Sequence, residues 1–393
     1  MNRLLSWFAP KAALRQTKDG ETPPVTNMEL FFDLVYVFTI IQLSHYLLAH
    51  QTLAGVAQVA TLFLAVWWAW NYTSWATNWI NPHHTSGRLL MVCLMGCALT
   101  MAVAIPTAYT ETAALFVGAY IAMGLIRGIY MALVFRGETM GKNYAQLTAW
   151  SGIAGLFWIA GAVYAEFRLF FWVIAVFVDY MSPLIGFWLP KIGSTPMSSW
   201  PLSGLHLVER NQLIFIIALG ESILLLGGTL LDTNLNFHST LAAIVGFLII
   251  VSVWWLYFIE TAEKGERIFS HIENHAEVGR SGLTYAHGVM VGGAIIIAVA
   301  VEKIIAHPDT AVHLPSILIT IFGPIIYLLG SLMFYKSISA GIPTNFIISI
   351  GALLVVGFIA HLLHFSGLIL GALVLFIIIV LVITTHNHDF DTS

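Results

Sequence analysis

The sequence predicts an all-α integral membrane protein of about twelve transmembrane helices in two parallel six-helix repeats. Three observations carry this reading. Of 393 residues, 59% are hydrophobic and only 9% charged, against about 25% charged in soluble domains, and mean hydropathy is +0.86. The 16 basic and 20 acidic residues cluster, leaving apolar stretches near the ~20 residues that cross a bilayer as a helix. Landmarks also recur in order between the two halves of the chain.

Residues 1–28 read as a cytoplasmic arm. No long apolar run with a small-residue cleavage site follows the start, so a cleavable signal peptide is not expected. Leu4, Leu5, Trp7 and Phe8 are placed as an interfacial anchor. The first repeat covers 29–190, with spans at 29–49, 53–76, 88–107, 112–134, 144–164 and 167–189. A linker follows at 191–206. The second repeat covers 207–386, with spans at 207–230, 240–262, 281–304, 312–334, 342–363 and 366–386, and 387–393 form a tail. Asn81-Pro82, Gly137, Pro190, Thr195-Pro196, His307-Pro308 and Gly341 punctuate the spans. The tightest turns fall at Ala165-Glu166 and His364-Phe365.

Twelve spans put thirteen Lys and Arg residues, Arg3 to Lys336, on the N-terminal side and only Arg168 and Lys303 opposite, with Arg127 inside a span. By the positive-inside rule both termini then face the cytoplasm, in a bacterial inner (cytoplasmic) membrane. The repeat rests on Trp67-Trp68 matching Trp254-Trp255, Gly87-Arg88 matching Gly279-Arg280, Phe135-Arg136 matching Tyr335-Lys336, and Met28-Glu29 matching Val208-Glu209. Six spans per half predict parallel halves about an axis normal to the membrane.

Three segments carry a family resemblance: ELFFDLV at 29–35, LGES at 219–222 and RSGLTYAH at 280–287. In this order they resemble the bacterial low-temperature-requirement A (LtrA) family, over nearly the whole chain from Glu29 to the last span. The resemblance implies a multi-pass membrane protein. It implies little chemistry, because the family name records a growth phenotype.

Charged residues inside spans are the functional candidates, since each costs about 2.5–3.5 kcal/mol at the bilayer centre on insertion scales. Glu29 and Asp33 stand one turn apart, and Tyr36, Ile40 and Ser44 extend their stripe. Glu29 also suits a helix N-terminus. Glu221 is the sharpest signal, deep in its span, with Gly220 leaving room and Ser222 able to hydrogen-bond it. Arg127 lies too deep to stand alone and is expected to pair with Asp33 or Glu221. Arg280, Thr284 and His287 share a face at α-helical spacing, and a neighbouring carboxylate would favour a charged His287. Gln42 and His45 supply polar groups at the depth of Glu221. Each candidate also has a bland reading, as a pair or hydrogen bond that only packs helices. Glu260 and Glu263 read as a solvated helix end. The WWAWNYTSWATNW run reads first as a packed stripe, and second as the lining of a shared cavity.

Several classes are excluded. Net charge is −4, so no basic footprint for nucleic acid exists. No HExxH, GxSxG, P-loop or GxGxxG occurs. No metal site or catalytic residue is assigned and no cofactor is identified, although His45 and His287 are candidates for haem ligation. Cys93 and Cys97 lie one turn apart in an apolar stretch, which is no disulfide framework. The partners expected are the lipid bilayer and a small ion or solute, with oligomerisation left open. The favoured reading is transport or permeation, proton-linked where a buried carboxyl titrates. The alternatives are a membrane-embedded enzyme or redox protein acting on a lipid-soluble substrate, and an envelope assembly partner.

Overall fold

In a computed structural model, residues 9–15, 23–233, 235–271 and 275–390 are described, and the anchor predicted at Leu4, Leu5, Trp7 and Phe8 lies outside them. Helices dominate: α1 (Asn27–Ala49), α2 (Leu53–Thr77), α3 (Thr85–Ala104), α4 (Ala113–Val134), α5 (Thr139–Val163) and α6 (Arg168–Met181). They are followed by α7 (Gly204–Asp232), α8 (Phe237–Phe269), α9 (His275–Ala306), α10 (Leu314–Ser337), α11 (Thr344–Leu363) and α12 (Gly367–Phe390). No strand forms among the described residues, which hold only isolated bridges such as Leu14 with Ile80. This is the solution a bilayer imposes, because an α-helix satisfies its own backbone where no water can.

Eleven of these helices are long and apolar enough to cross a membrane. The sixth predicted span differs. It forms at its expected place, but α6 has only 14 residues, about 21 Å of helix against a hydrocarbon core of about 30 Å. The cause is Pro183, which has no N–H to donate to the fourth carbonyl back, while Ser182 before it keeps helical geometry at φ −55° and ψ −46°. The chain then turns through Gly186 at φ +62°. The tight turn before α6 is a single 3₁₀ turn at Ala165–Phe167. Arg168, expected at the membrane face opposite the N-terminus, is buried there. Its guanidinium donates to the carbonyls of Gly161 (3.0 Å), Tyr109 and Thr110, satisfying helix-end acceptors that would otherwise lack donors.

The chain divides into two compact units, Met1–Arg210 with Asn274–Glu277, and Asn211–Glu273 with Val278–Ser393. In the first unit the core is aromatic. Trp68 stacks on Tyr180 at 4.0 Å, and Trp158 packs against Trp172 at 5.3 Å. The tryptophan run of α2 is therefore packed interior, with Trp67, Trp68 and Trp70 all buried. Trp254 and Trp255, their predicted counterparts, are half-buried and exposed.

In the second unit α9 and α10 touch backbone to backbone. A Cβ on Gly293 would lie 2.4 Å from Tyr327 N, and one on Gly330 2.6 Å from Met290 N. Small residues allow such approach where lipid offers no hydrophobic drive between helices. Gly293→Ala is expected to lower the thermal midpoint in detergent, whereas Gly351→Ala, with nothing within 4 Å, should leave it unchanged. Equal midpoints would refute the close packing.

Two helices of this unit carry π-helical turns, Leu256–Ala262 in α8 and Gly279–Ala286 in α9. Such turns are rare and frequent at functional sites. One effect is visible at Glu260. It was expected at a solvated end, but the π turn buries it to 1% exposure, 3.4 Å from His386 Nδ1 and 3.9 Å from Lys264 Nζ. Glu263 is the exposed member and pairs with Arg267 at 2.5 Å.

Candidate functional site

The ELFFDLV segment opens α1, and its polar stripe is the buried face of that helix. Glu29, Asp33, Tyr36, Ile40 and Ser44 are all buried, while Phe31 and Leu34 are exposed. Thr26 is the N-cap. Its N–H (2.9 Å) and hydroxyl (2.8 Å) donate to Glu29 Oε2, the reach-back contact of a capping box. Arg15, from the N-terminal arm, donates to the same oxygen at 2.8 Å. Its Nε holds the carbonyls of Thr77 (3.1 Å) and Ile80 (2.9 Å) at the end of α2.

Two residues from the start of α7 complete the network. Arg210 clasps Asp33 through both nitrogens of its fork, Nη2 to Oδ1 at 2.6 Å and Nε to Oδ2 at 3.1 Å. Its Nη1 reaches Glu29 Oε1 at 3.4 Å and Thr77 Oγ1 at 3.0 Å. Trp70 Nε1 donates to Asp33 Oδ1 at 2.8 Å, and the indole ring lies 5.9 Å from the guanidinium carbon. His206 Nε2 stands 3.0 Å from Glu29 Oε1, and Asn78 Nδ2 lies 3.3 Å from His206 Nδ1. An amide N–H must donate, so Nδ1 accepts and the neutral ring donates from Nε2. Two carboxylates thus face two guanidiniums, with a neutral histidine between. Bidentate, charge-assisted bonds of this kind are the strong ones.

Asp33 is therefore not the partner of Arg127. Arg127 is buried, yet its Nη1 donates to Ala69 O (3.0 Å) and Thr73 Oγ1 (2.9 Å), and its guanidinium lies over the Tyr72 ring at 5.4 Å. The expected carboxylate pair is not made in the first unit, because Asp33 is already clasped by Arg210. Gln42 is half-buried and His45 stands on the exposed side of α1.

In the second unit Glu221 lies well inside α7, about 16 Å of helix from its C-terminal end. It is 1% exposed, and Oε2 is buried with no hydrogen-bond partner. Ser222 does not serve it, since that hydroxyl turns back to Ala218 O at 3.5 Å. The charge that acts on Glu221 is another carboxylate, Glu302 of α9, whose Oε2 is also without a hydrogen-bond partner. Next to Glu221, Gly220 has open space where a side chain would be.

Arg280, Thr284 and His287 do not form the predicted α-helical face, because the π turn at Gly279–Ala286 changes their spacing. His287 donates from Nδ1 to Gly282 O at 2.8 Å. Its ring meets Tyr257 (5.7 Å) and Phe334 (5.1 Å) edge-on. The neighbours of that histidine are aromatic, and the expected carboxylate is not among these contacts.

Comparison with known proteins agrees with this architecture. The family model for bacterial low temperature requirement A protein (LtrA) matches residues 24–383. A curated relative from Rhizobium meliloti (strain 1021), named "Uncharacterized protein RA0937", is 34% identical over 330 residues, covering 83% of this chain and 80% of its own length. No solved structure matches.

Proposed function

Given that the chain belongs to the bacterial low temperature requirement A (LtrA) family, we propose that it conducts or transports a small cation or solute across the bacterial inner membrane, linked to protons. The observation that carries this reading is Glu221, a buried carboxyl with an unpartnered oxygen inside a membrane-length helix. Ionisable residues at such depth mark ion pathways and proton relays. Glu302 adds a second carboxyl with Lys303 beside it, and two acidic groups to one base favour a cation or proton over an anion.

The network of Glu29, Asp33 and Arg210 has a different part. With Arg15 its charges balance, and donors reach both carboxylates, so it locks α1 to the first turns of α7 and to the N-terminal arm. The duplication remains part of the proposal. Six helices fall in each half of the chain, and the two units meet in sequence between Arg210 and Asn211, close to the predicted junction.

The test is flux. Purified protein in proteoliposomes should move a monovalent cation or protons when a pH gradient is imposed, as followed by an entrapped pH dye and by tracer uptake. Absence of any saturable flux would sink the proposal. A visible absorption band in the purified protein would instead favour the redox alternative. Orientation is tested separately. Reporter fusions at the N-terminus, in the loop at 136–143 and at the C-terminus should all report the cytoplasm, and a single periplasmic signal would overturn that topology.

A further inference from the structure

Arg127 has more donors than acceptors. Nη1 uses Ala69 O and Thr73 Oγ1, but Nε is buried with no partner in a side chain only 2% exposed. A guanidinium carries five N–H donors in a fixed fork, and unsatisfied donors of a buried ion are costly. The group borders a cavity of about 10 Å³ inside the first unit, whose other walls include Trp68, Tyr72, Tyr120, Ser151 and Asp179. That is room for about one water molecule.

Across the cavity stands Asp179 of α6, 4% exposed. Tyr120 donates its hydroxyl to Asp179 Oδ2 at 2.6 Å. The titratable and charged groups that face Asp179 here are Arg127 and Tyr120 of α4 and Tyr72 of α2, while α5 contributes the hydroxyl of Ser151. A cation on one wall and a carboxyl on the other need a ligand that both accepts and donates. An anion would meet Asp179, a cation would meet Arg127, and water suits both.

We propose that this cavity holds one water that bridges Arg127 and Asp179, and that Asp179 takes up and releases a proton there. In uptake, hydronium in bulk solution gives up a proton that ends on a carboxylate oxygen of Asp179, leaving water outside and a carboxylic acid that donates to the bridging water. Release is the reverse, and Arg127 stays charged throughout. The inference deepens the proton-linked reading and rests on it, yet the proton exchange has its own readout. It assigns to the first unit a proton site separate from the saturated network at Asp33.

The experiment is infrared titration of the whole purified protein, following the carboxyl C=O stretch as pH is stepped. Asp179→Asn should lose one titrating band that Glu221→Gln retains. Gly124→Ala is the milder probe. Its Cβ would lie 3.7 Å from Ser151 Cβ, an ordinary contact, so the fold is kept while a methyl enters the wall of the cavity. That variant should shift or lose the same band with all charges in place. Identical titrations for wild type, Asp179→Asn and Gly124→Ala would overturn the proposal. If the band behaves as stated but proteoliposomes show no flux, the proton site stands and the transport reading falls.

Discussion

Arg210→Met should be the most destabilising single substitution in the first unit. Removing one partner of a buried pair costs about 3–5 kcal/mol, because the other charge is stranded. Here Asp33 loses two charge-assisted bonds and Glu29 a third, with both carboxylates at most 1% exposed. Removing the acidic side as well should restore much of the loss. Buried ion groups can be exchanged for neutral ones at little net cost when none is left unpaired. A triple variant, Glu29→Gln, Asp33→Asn and Arg210→Met, in which Arg15 keeps the carbonyls of Thr77, Ile80 and Pro24 as acceptors, should therefore be more stable than Arg210→Met alone. Thermal unfolding in detergent across the cycle checks this, and purely additive losses would show that the three residues do not act as one network.

Glu221→Gln should abolish activity with little effect on folding or insertion. Gln fills the same space and can hydrogen-bond, but it cannot carry charge or exchange a proton. Its Oε2 has no hydrogen-bond partner to lose among the described residues, and the charge acting on it is the carboxylate of Glu302. Glu221→Asp should keep part of the activity, because the charge stays while its reach shortens. Flux in proteoliposomes and complementation of a deletion strain's growth defect, with expression measured in parallel, read the outcome. A fully active Gln variant would remove Glu221 from the ion path.

Much of this was legible in the sequence. The spans follow from hydropathy alone, and the stripe of Glu29, Asp33 and Tyr36 from helical spacing. Thr26-x-x-Glu29 is a capping-box pattern, a signal present in the chain but not used to fix the start of α1. What spacing could not supply was partner choice. Arg210 sits 177 residues from Asp33, and nothing local says which distant base a buried acid takes. Arg127 looked the better candidate because it lay deeper in its span. Asp179 and His206 were overlooked for a related reason. One falls in the last turn of the helix that Pro183 cuts short, and the other in a stretch assigned to a linker. The arrangement around Arg280 and Glu260 failed differently. The Arg280 reading assumes an unbroken α-helical period, which the π turn does not keep, and the Glu260 reading takes the end of the span as solvated where the residue is buried.

Those two π turns also bear on how the chain tolerates changes in its length. Deleting one residue from an ordinary helix rotates everything beyond it by about 100°, turning a buried face towards lipid. A π turn already holds one residue more than the α ladder needs. Losing a residue between Leu256 and Ala262, or between Gly279 and Ala286, converts the segment to plain α-helix and keeps the flanking halves in register with their neighbours. These are the places inside α8 and α9 where relatives can differ in length by one residue without changing which surface meets the membrane. A gap of one in an alignment of these helices belongs there, and in α8 the side chain it would swing out of the interior is Glu260.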